Sequence, residues 1–263
     1  MNEQDKEIRF DDGAAYENMM GRWSALAGER FIDWIGVPPQ SRWLDVGCGN
    51  GAFTEQLVQR CAPKSVQAFD PAPAQIAYAR TRLPANAPVS WAAGDAMNAL
   101  VTEGSVDAAV MALVLFFVPD PAAGVVQMCK AVRPGGTVAA YHWDILAGGF
   151  PLAAIGAELR SFGLEAKLPP SVQASTLDAS RKLWEDAGLH EVRTTQITVE
   201  RSFANFEDYW TSAASSNTLR SAFDSMTAEM LGQLKARVRE RLQAGEGTLV
   251  VSARANAVCG VKG

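Results

Sequence analysis

The chain has 263 residues, 48% of them hydrophobic and 20% charged, with a formal net charge of −5. That length can bury a sizeable core in one large domain, and the acidic balance argues against a general nucleic-acid binder, whose partner demands a basic surface. Cys48, Cys61, Cys129 and Cys259 form no CxxC pair, and His142 and His190 are the only histidines. The usual spacing of a structural zinc site is absent, and neither a disulfide framework nor a metal is expected. The N-terminal MNEQDKEIRFDDG lacks an apolar signal core, and no apolar run approaches the ~18 residues of a membrane span. A cytoplasmic protein with reduced thiols and no membrane partner is expected.

In chain order, residues 1–13 carry five acids and two bases and read as a flexible tail. Tyr16, Met19, Met20, Trp23, Leu26, Phe31 and Trp34 recur at helical spacing, which predicts one or two helices over 14–36, stopped by Gly36 and Pro38-Pro39. From residue 42 strands and helices alternate. RWLDVG, SVQAFD, PVSWAAG, VDAAVMALVLFF and TVAAYHWD read as strands; GAFTEQLVQRC, PAPAQIAYARTRL and DPAAGVVQMCKAV read as helices. This alternation predicts parallel βαβ units with right-handed crossovers, hence a doubly wound α/β sheet. After Asp144 the rhythm breaks. A loop with one helix is followed by the helix LDASRKLWEDAGL, the strand HEVRTTQITVERSF, helices over 204–243 and a closing strand, GTLVVSARANAVCGV. The last two strands read as an antiparallel addition at the sheet edge. The whole of 14–263 is expected to be one domain: cap helices at 14–36, a ligand-binding core at 40–145, and a cap or lid from 145–175 and 204–243.

The chemistry concentrates in LDVGCGNGAF, residues 44–53. Glycines 47, 49 and 51 allow a sharp turn and close approach of a ligand to the backbone. The bare spacing matches the dinucleotide fingerprint and equally suits a ligand-free strand-to-helix turn. Asp70 ends the next strand, where a carboxylate can accept both ribose hydroxyls; Asp95 ends the third, where it can accept from an adenine amine. Each alone suits a helix N-cap. Asp45 then separates the ligands. A pyrophosphate within a turn of that carboxylate would be repelled by several kcal/mol. A nucleoside with a cationic amine and a sulfonium, and no phosphate, is favoured, and S-adenosylmethionine has that make-up, its carboxylate still able to use the helix N-terminus.

LDVGCGNG, Asp70, Gly94-Asp95-Ala96 and VPDP…RPGG over 118–136 together resemble the class I S-adenosylmethionine-dependent methyltransferases, in particular the type 11-like group that acts on small molecules. YENMMGRWS at the N-terminus is also similar to that group. The resemblance implies a Rossmann-like seven-stranded sheet in the order 3-2-1-4-5-7-6 with the last strand antiparallel. It implies that Gly47, Cys48 and Gly49 meet the methionine part, that Asp70 and Pro71 lie at the ribose, and that Asp95 and Ala96 meet adenine. Ala112 or Leu113 would offer backbone groups beneath the sulfonium, and Tyr16 and Arg22 would close over the methionyl end. The product would be S-adenosylhomocysteine.

His142, at the end of the fifth strand, is the candidate general base, with Tyr141 or Asp144 as substitutes; a buried structural histidine is the alternative. Trp23, Phe150, Tyr209 and Trp210 are candidate walls of an acceptor pocket, or simply core. The expected function is methyl transfer to an O, N or C atom of a small organic acceptor by a monomer or homodimer. An NAD-dependent oxidoreductase and a non-catalytic nucleoside-binding protein are the rivals.

Overall fold

A computed structural model describes residues 20–98, 101–165, 167–214 and 216–263, the side chains of 217 and 218 aside. Seven strands form one sheet in the order β3-β2-β1-β4-β5-β7-β6. They are β1 (Arg42–Val46), β2 (Ser65–Asp70), β3 (Val89–Ala93), β4 (Val106–Ala112), β5 (Val132–Trp143), β6 (Leu189–Phe203) and β7 (Leu249–Lys262). β1 through β5 pair in parallel, and β7 runs antiparallel between β5 and β6. The architecture is the doubly wound α/β sheet expected from the alternating pattern.

Helices cover both faces, which is why the central strands are apolar throughout. One face carries α1 (Arg22–Ile35), α2 (Ala52–Cys61) and α5 (Ala153–Ser161), joined by α7 (Phe206–Ala214), α8 (Asn217–Asp224) and α9 (Ala228–Arg241). The other face carries α4 (Pro121–Ala131) and α6 (Leu177–Asp186); α3 (Pro73–Ala79) packs through Ile76 beside β2 and β3. On α1 the buried Trp23, Ala27, Phe31 and Ile35 make one stripe, and full burial of each large side chain contributes about 1.5–3 kcal/mol. Gly36, left-handed at φ 64°, ends the helix by donating its N–H to Ile32. At α4, Asp120 caps by accepting from Ala123 N, and Pro121 stands where its missing N–H costs nothing.

Strand alternation decides which face of the sheet each β5 side chain takes. Ala139, Tyr141 and Trp143 belong to the α1–α2 side, whereas Val138 and Ala140 belong to the α4–α6 side. His142 has the second parity. It is fully buried, with Nε2 2.9 Å from Ser180 Oγ on α6.

The apolar run after residue 106 is not one strand. β4 ends at Ala112, Leu113 adopts a left-handed φ of 63°, and Leu115–Phe117 form a 3₁₀ turn. A non-glycine residue there costs on the order of 1–3 kcal/mol, and the Leu113 N–H is held by the Tyr141 carbonyl at 2.8 Å.

Candidate active site

A cavity of about 680 Å³ opens at the carboxyl edge of the sheet, above β1, β2 and β4, within the range that holds small molecules and cofactors. Ligands of doubly wound sheets bind at that edge, where the strand order reverses. The floor is the loop between β1 and α2. Gly47, Gly49 and Gly51 have φ of 71°, 52° and 81°. At Gly47 a Cβ would stand 2.6 Å from Val114 Cγ1, so the glycine lets the chain after β4 close on the loop. At Gly49 a Cβ would meet nothing within 4 Å. Because Gly49 lines the cavity, its backbone is open to a bound molecule.

The loop's N–H groups turn inward. Gly47 and Cys48 both donate to the Phe69 carbonyl (2.9 and 3.0 Å), and Gly51 donates to Cys48 O at 2.9 Å. Gly49 N donates to Asp70 Oδ2 at 3.0 Å, and Ala52 N to Asn50 Oδ1 at 3.2 Å. A pyrophosphate cradle needs those donors facing the ligand; here they are spent on β2 and on the loop itself. Asp70 also accepts from Ala72 N through Oδ1 at 2.9 Å. Each of its oxygens thus holds one backbone bond and keeps capacity for another. Burial raises its pKa, opposed by the Ala72 and Gly49 N–H groups. Asp95 Oδ1 accepts from Met97 N at 2.6 Å and fixes the turn after β3. Arg82 locks the loop's outer side, with Nε on Asn50 O at 2.7 Å and Nη1 on Glu55 at 3.1 Å.

Ten of the predicted site residues line this one cavity: Gly47, Cys48, Gly49, Asp70, Pro71, Asp95, Ala96, Ala112, Leu113 and Tyr141. Asp45 lies beneath it rather than on its wall. It is fully buried, and Oδ2 accepts from Thr54 Oγ1 at 2.6 Å, while Oδ1 has no partner among the described residues. Burial pushes its pKa up to about 7, against the Thr54 hydroxyl and with help from the nearby Asp70 charge. Asp45, expected at the loop's mouth, is therefore not a wall residue but a buried acid beneath the loop. The Cys48 thiol is pushed far up by burial and by the charges of Asp45 and Asp70, so it is no nucleophile.

Two further expectations, those for Arg22 and His142, change. Tyr16 lies outside the described residues. Arg22 is exposed on α1, is not among the lining residues, and has Arg201 as an electrostatic neighbour. His142 is not on the wall either. The Ser180 hydroxyl has the Ala174 and Thr176 carbonyls to donate to, at 2.9 and 2.8 Å, so His142 Nε2 is the donor toward Ser180 and Nδ1 is left as a bare acceptor without a partner among the described residues. Burial lowers its pKa to about 3. An imidazole sealed on the far face cannot take a proton from a molecule in the cavity.

The aromatic walls are also elsewhere. Trp23 and Tyr209 pack on Phe203, and Trp210 stacks between Phe206 and Phe223, all in the core under the cap helices; Phe150 packs against the same core. Phe53, Phe117 and Tyr141 line the cavity instead, with Ser24, Ala25 and Glu29 of α1. Tyr141 sits 4.7 Å from Phe31 and 5.9 Å from Phe53, ring to ring, and its hydroxyl donates to Ser24 O at 3.4 Å. Phe53 and the Val118-Pro119 pair were within reach of the sequence, since they flank the glycine loop and open the VPDP motif.

A family model described as a methyltransferase domain matches residues 44–140, the segment that builds the loop, both acidic strand tips and the end of β4. Over that segment the chain is similar to methyltransferase domains. Among curated relatives, a ubiquinone biosynthesis O-methyltransferase of Methylobacterium nodulans is 36% identical over 117 residues, 44% of this chain and 46% of that protein. An uncharacterized methyltransferase of Mycobacterium tuberculosis is 34% identical over 105 residues, 40% of this chain and 41% of that protein. The chain thus spans under half the length of these relatives. The methyltransferase fold extends further than the sequence match. Phosphoethanolamine N-methyltransferase 2 of Haemonchus contortus, solved with S-adenosylhomocysteine, superposes with a TM-score of 0.60 at 17% identity over 98% of this chain and 59% of that one. A putative methyltransferase of Haloferax volcanii, solved with the Trm112 activator, gives 0.57 at 17% identity over 95% and 94%. No helix among the described residues is long and apolar enough to cross a membrane.

Proposed function

We propose that the protein transfers a methyl group from S-adenosylmethionine to an oxygen, nitrogen or carbon atom of a small organic acceptor. The observation that carries this is the loop: its N–H groups are donated to Phe69, Asp70, Cys48 and Asn50, so it presents an acidic mouth and an open backbone at Gly49 to the cavity. That arrangement suits a cationic nucleoside and repels a pyrophosphate.

When bound, the donor supplies an electrophilic methyl on a sulfonium. Asp70 would take the ribose hydroxyls on its remaining lone pairs, with Pro71 beside them, and Asp95 and Ala96 would meet the base. Gly47, Cys48 and Gly49 would run along the methionine part over the buried Asp45 carboxyl group. Ala112 and the strained Leu113 would form the backbone shelf between donor and acceptor. The protein's work is then alignment and exclusion of water by Phe53, Phe117 and Tyr141. A general base is needed only where the acceptor atom must lose a proton; Tyr141 stands on the wall for that step, and His142 does not.

The absence of an imidazole from the wall is what favours the rival, a nucleoside-binding protein without chemistry. Incubating the protein with methyl-tritiated S-adenosylmethionine and a fractionated small-molecule extract separates the two. Label transferred to an extract component supports the proposal, and binding of the donor without any transfer supports the rival.

A further inference from the structure

The acceptor's chemistry can be read from the rest of the cavity wall, given the methyl-transfer reading above. Away from Asp70 and Asp95 the wall includes Ser24, Phe53, Phe117, Val118 and Tyr141, with the polar Glu29, Gln56 and Gln59 beside them. Phe53, Phe117, Val118 and Tyr141 give it an aromatic and aliphatic surface, and Ser24 Oγ in their midst is buried and has no partner among the described residues. The neighbouring Tyr141 hydroxyl is directed at the Ser24 carbonyl, not at its Oγ. A buried hydroxyl without a partner costs about 1–3 kcal/mol, and a ligand group that bonds to it recovers this.

The charges on the wall have one dominant sign. Glu29, Glu55, Asp70 and Asp95 all line the cavity, and the two cations among its described lining residues are already ion-paired, Arg60 with Asp33 at 2.9 Å and Arg82 with Glu55 at 3.1 Å. An acceptor bearing a carboxylate or phosphate would lose its hydration and meet acids without a cation to pair with. We propose that the site takes an uncharged acceptor with an aromatic body and a single hydroxyl or amine, a phenol or arylamine, whose polar group bonds to the Ser24 hydroxyl, and that it rejects carboxylates of the same shape.

The test is isothermal titration of the S-adenosylhomocysteine complex with 4-propylphenol and with 4-propylbenzoate. The phenol should bind at least tenfold more tightly. Ser24→Ala should weaken the phenol by about 3–10-fold, the loss of one neutral hydrogen bond, without changing the affinity for S-adenosylhomocysteine. Glu29→Lys should narrow the gap between the two probes. Equal or tighter binding of the benzoate, no binding of the phenol, or an unchanged phenol affinity in Ser24→Ala would each overturn the proposal. Failure of S-adenosylhomocysteine itself to bind would instead sink the methyl-transfer reading on which the proposal rests.

Discussion

Replacing Asp45 by asparagine should make the protein less stable in acid and more stable in base. The carboxylate is fully buried, accepts from Thr54 Oγ1 through Oδ2, and leaves Oδ1 without a partner among the described residues. Its pKa rises from 3.8 to about 7, chiefly through burial. Between those values the native state holds a proton that the unfolded chain has released, so stability falls as pH rises through the window. The slope reaches ~1.4 kcal/mol per pH unit and the total is ~4 kcal/mol. An asparagine does not titrate. Its Oδ1 can accept from Thr54, but its amide would be buried without an acceptor, at a cost of about 1–3 kcal/mol. The variant should therefore be less stable than the parent by about that amount near pH 4 and more stable by a similar amount near pH 8. Urea unfolding of both proteins at half-unit pH steps gives the difference directly. His142 has the opposite linkage, its burial-lowered pKa of about 3 making stability fall as pH drops below ~6.5, but it is common to both proteins and cancels. A stability difference that stays flat from pH 4 to pH 8 would refute the buried-acid account.

Asp70→Asn should weaken S-adenosylhomocysteine by about 1–3 kcal/mol, since a carboxylate already holding Gly49 and Ala72 is lost as a charged acceptor; an unchanged calorimetric dissociation constant contradicts the ribose role. The glycines should separate in kind. Gly47→Ala drives a Cβ to 2.6 Å from Val114 and should lower the urea midpoint most, whereas Gly49→Ala, with open space above it, should cost only ~1–2 kcal/mol of backbone strain and show a larger loss of ligand affinity. His142→Ala should cost ~2–4 kcal/mol of stability as a core truncation and leave the affinity for S-adenosylhomocysteine intact. Unchanged stability with loss of an acid limb in the pH–rate profile would return the imidazole to the role of base.

The fold was legible because glycines and prolines punctuate the chain after β1, β2, β4 and β5 and because the helical and strand periods differ. The loop and the acids at 70 and 95 were legible because their spacing puts them at successive strand tips. What was hidden shares one cause. Central strands are covered on both faces, so Ala139 through Trp143 are all buried, and alternation carries no polar signal to say which side a residue takes. His142 was thus set on the wrong face beside Tyr141, which has the right one. For the same reason Asp45 looked like a wall residue although Thr54 holds it below the loop. VDAAVMALVLFF read as a continuous strand because nothing in its composition marks the left-handed Leu113 that ends it. Trp23, Tyr209 and Trp210 were ambiguous because cap helices need large side chains for their own core.

The central claim is that this glycine loop selects a cationic, phosphate-free nucleoside. Calorimetric titration of the protein with S-adenosylhomocysteine and, separately, with NADH measures that selection. The inward-turned N–H groups, the acid at Asp45 and the shared lone pairs of Asp70 predict saturable binding of S-adenosylhomocysteine at least a hundredfold tighter than that of NADH. Tight binding of NADH with none of S-adenosylhomocysteine would contradict it.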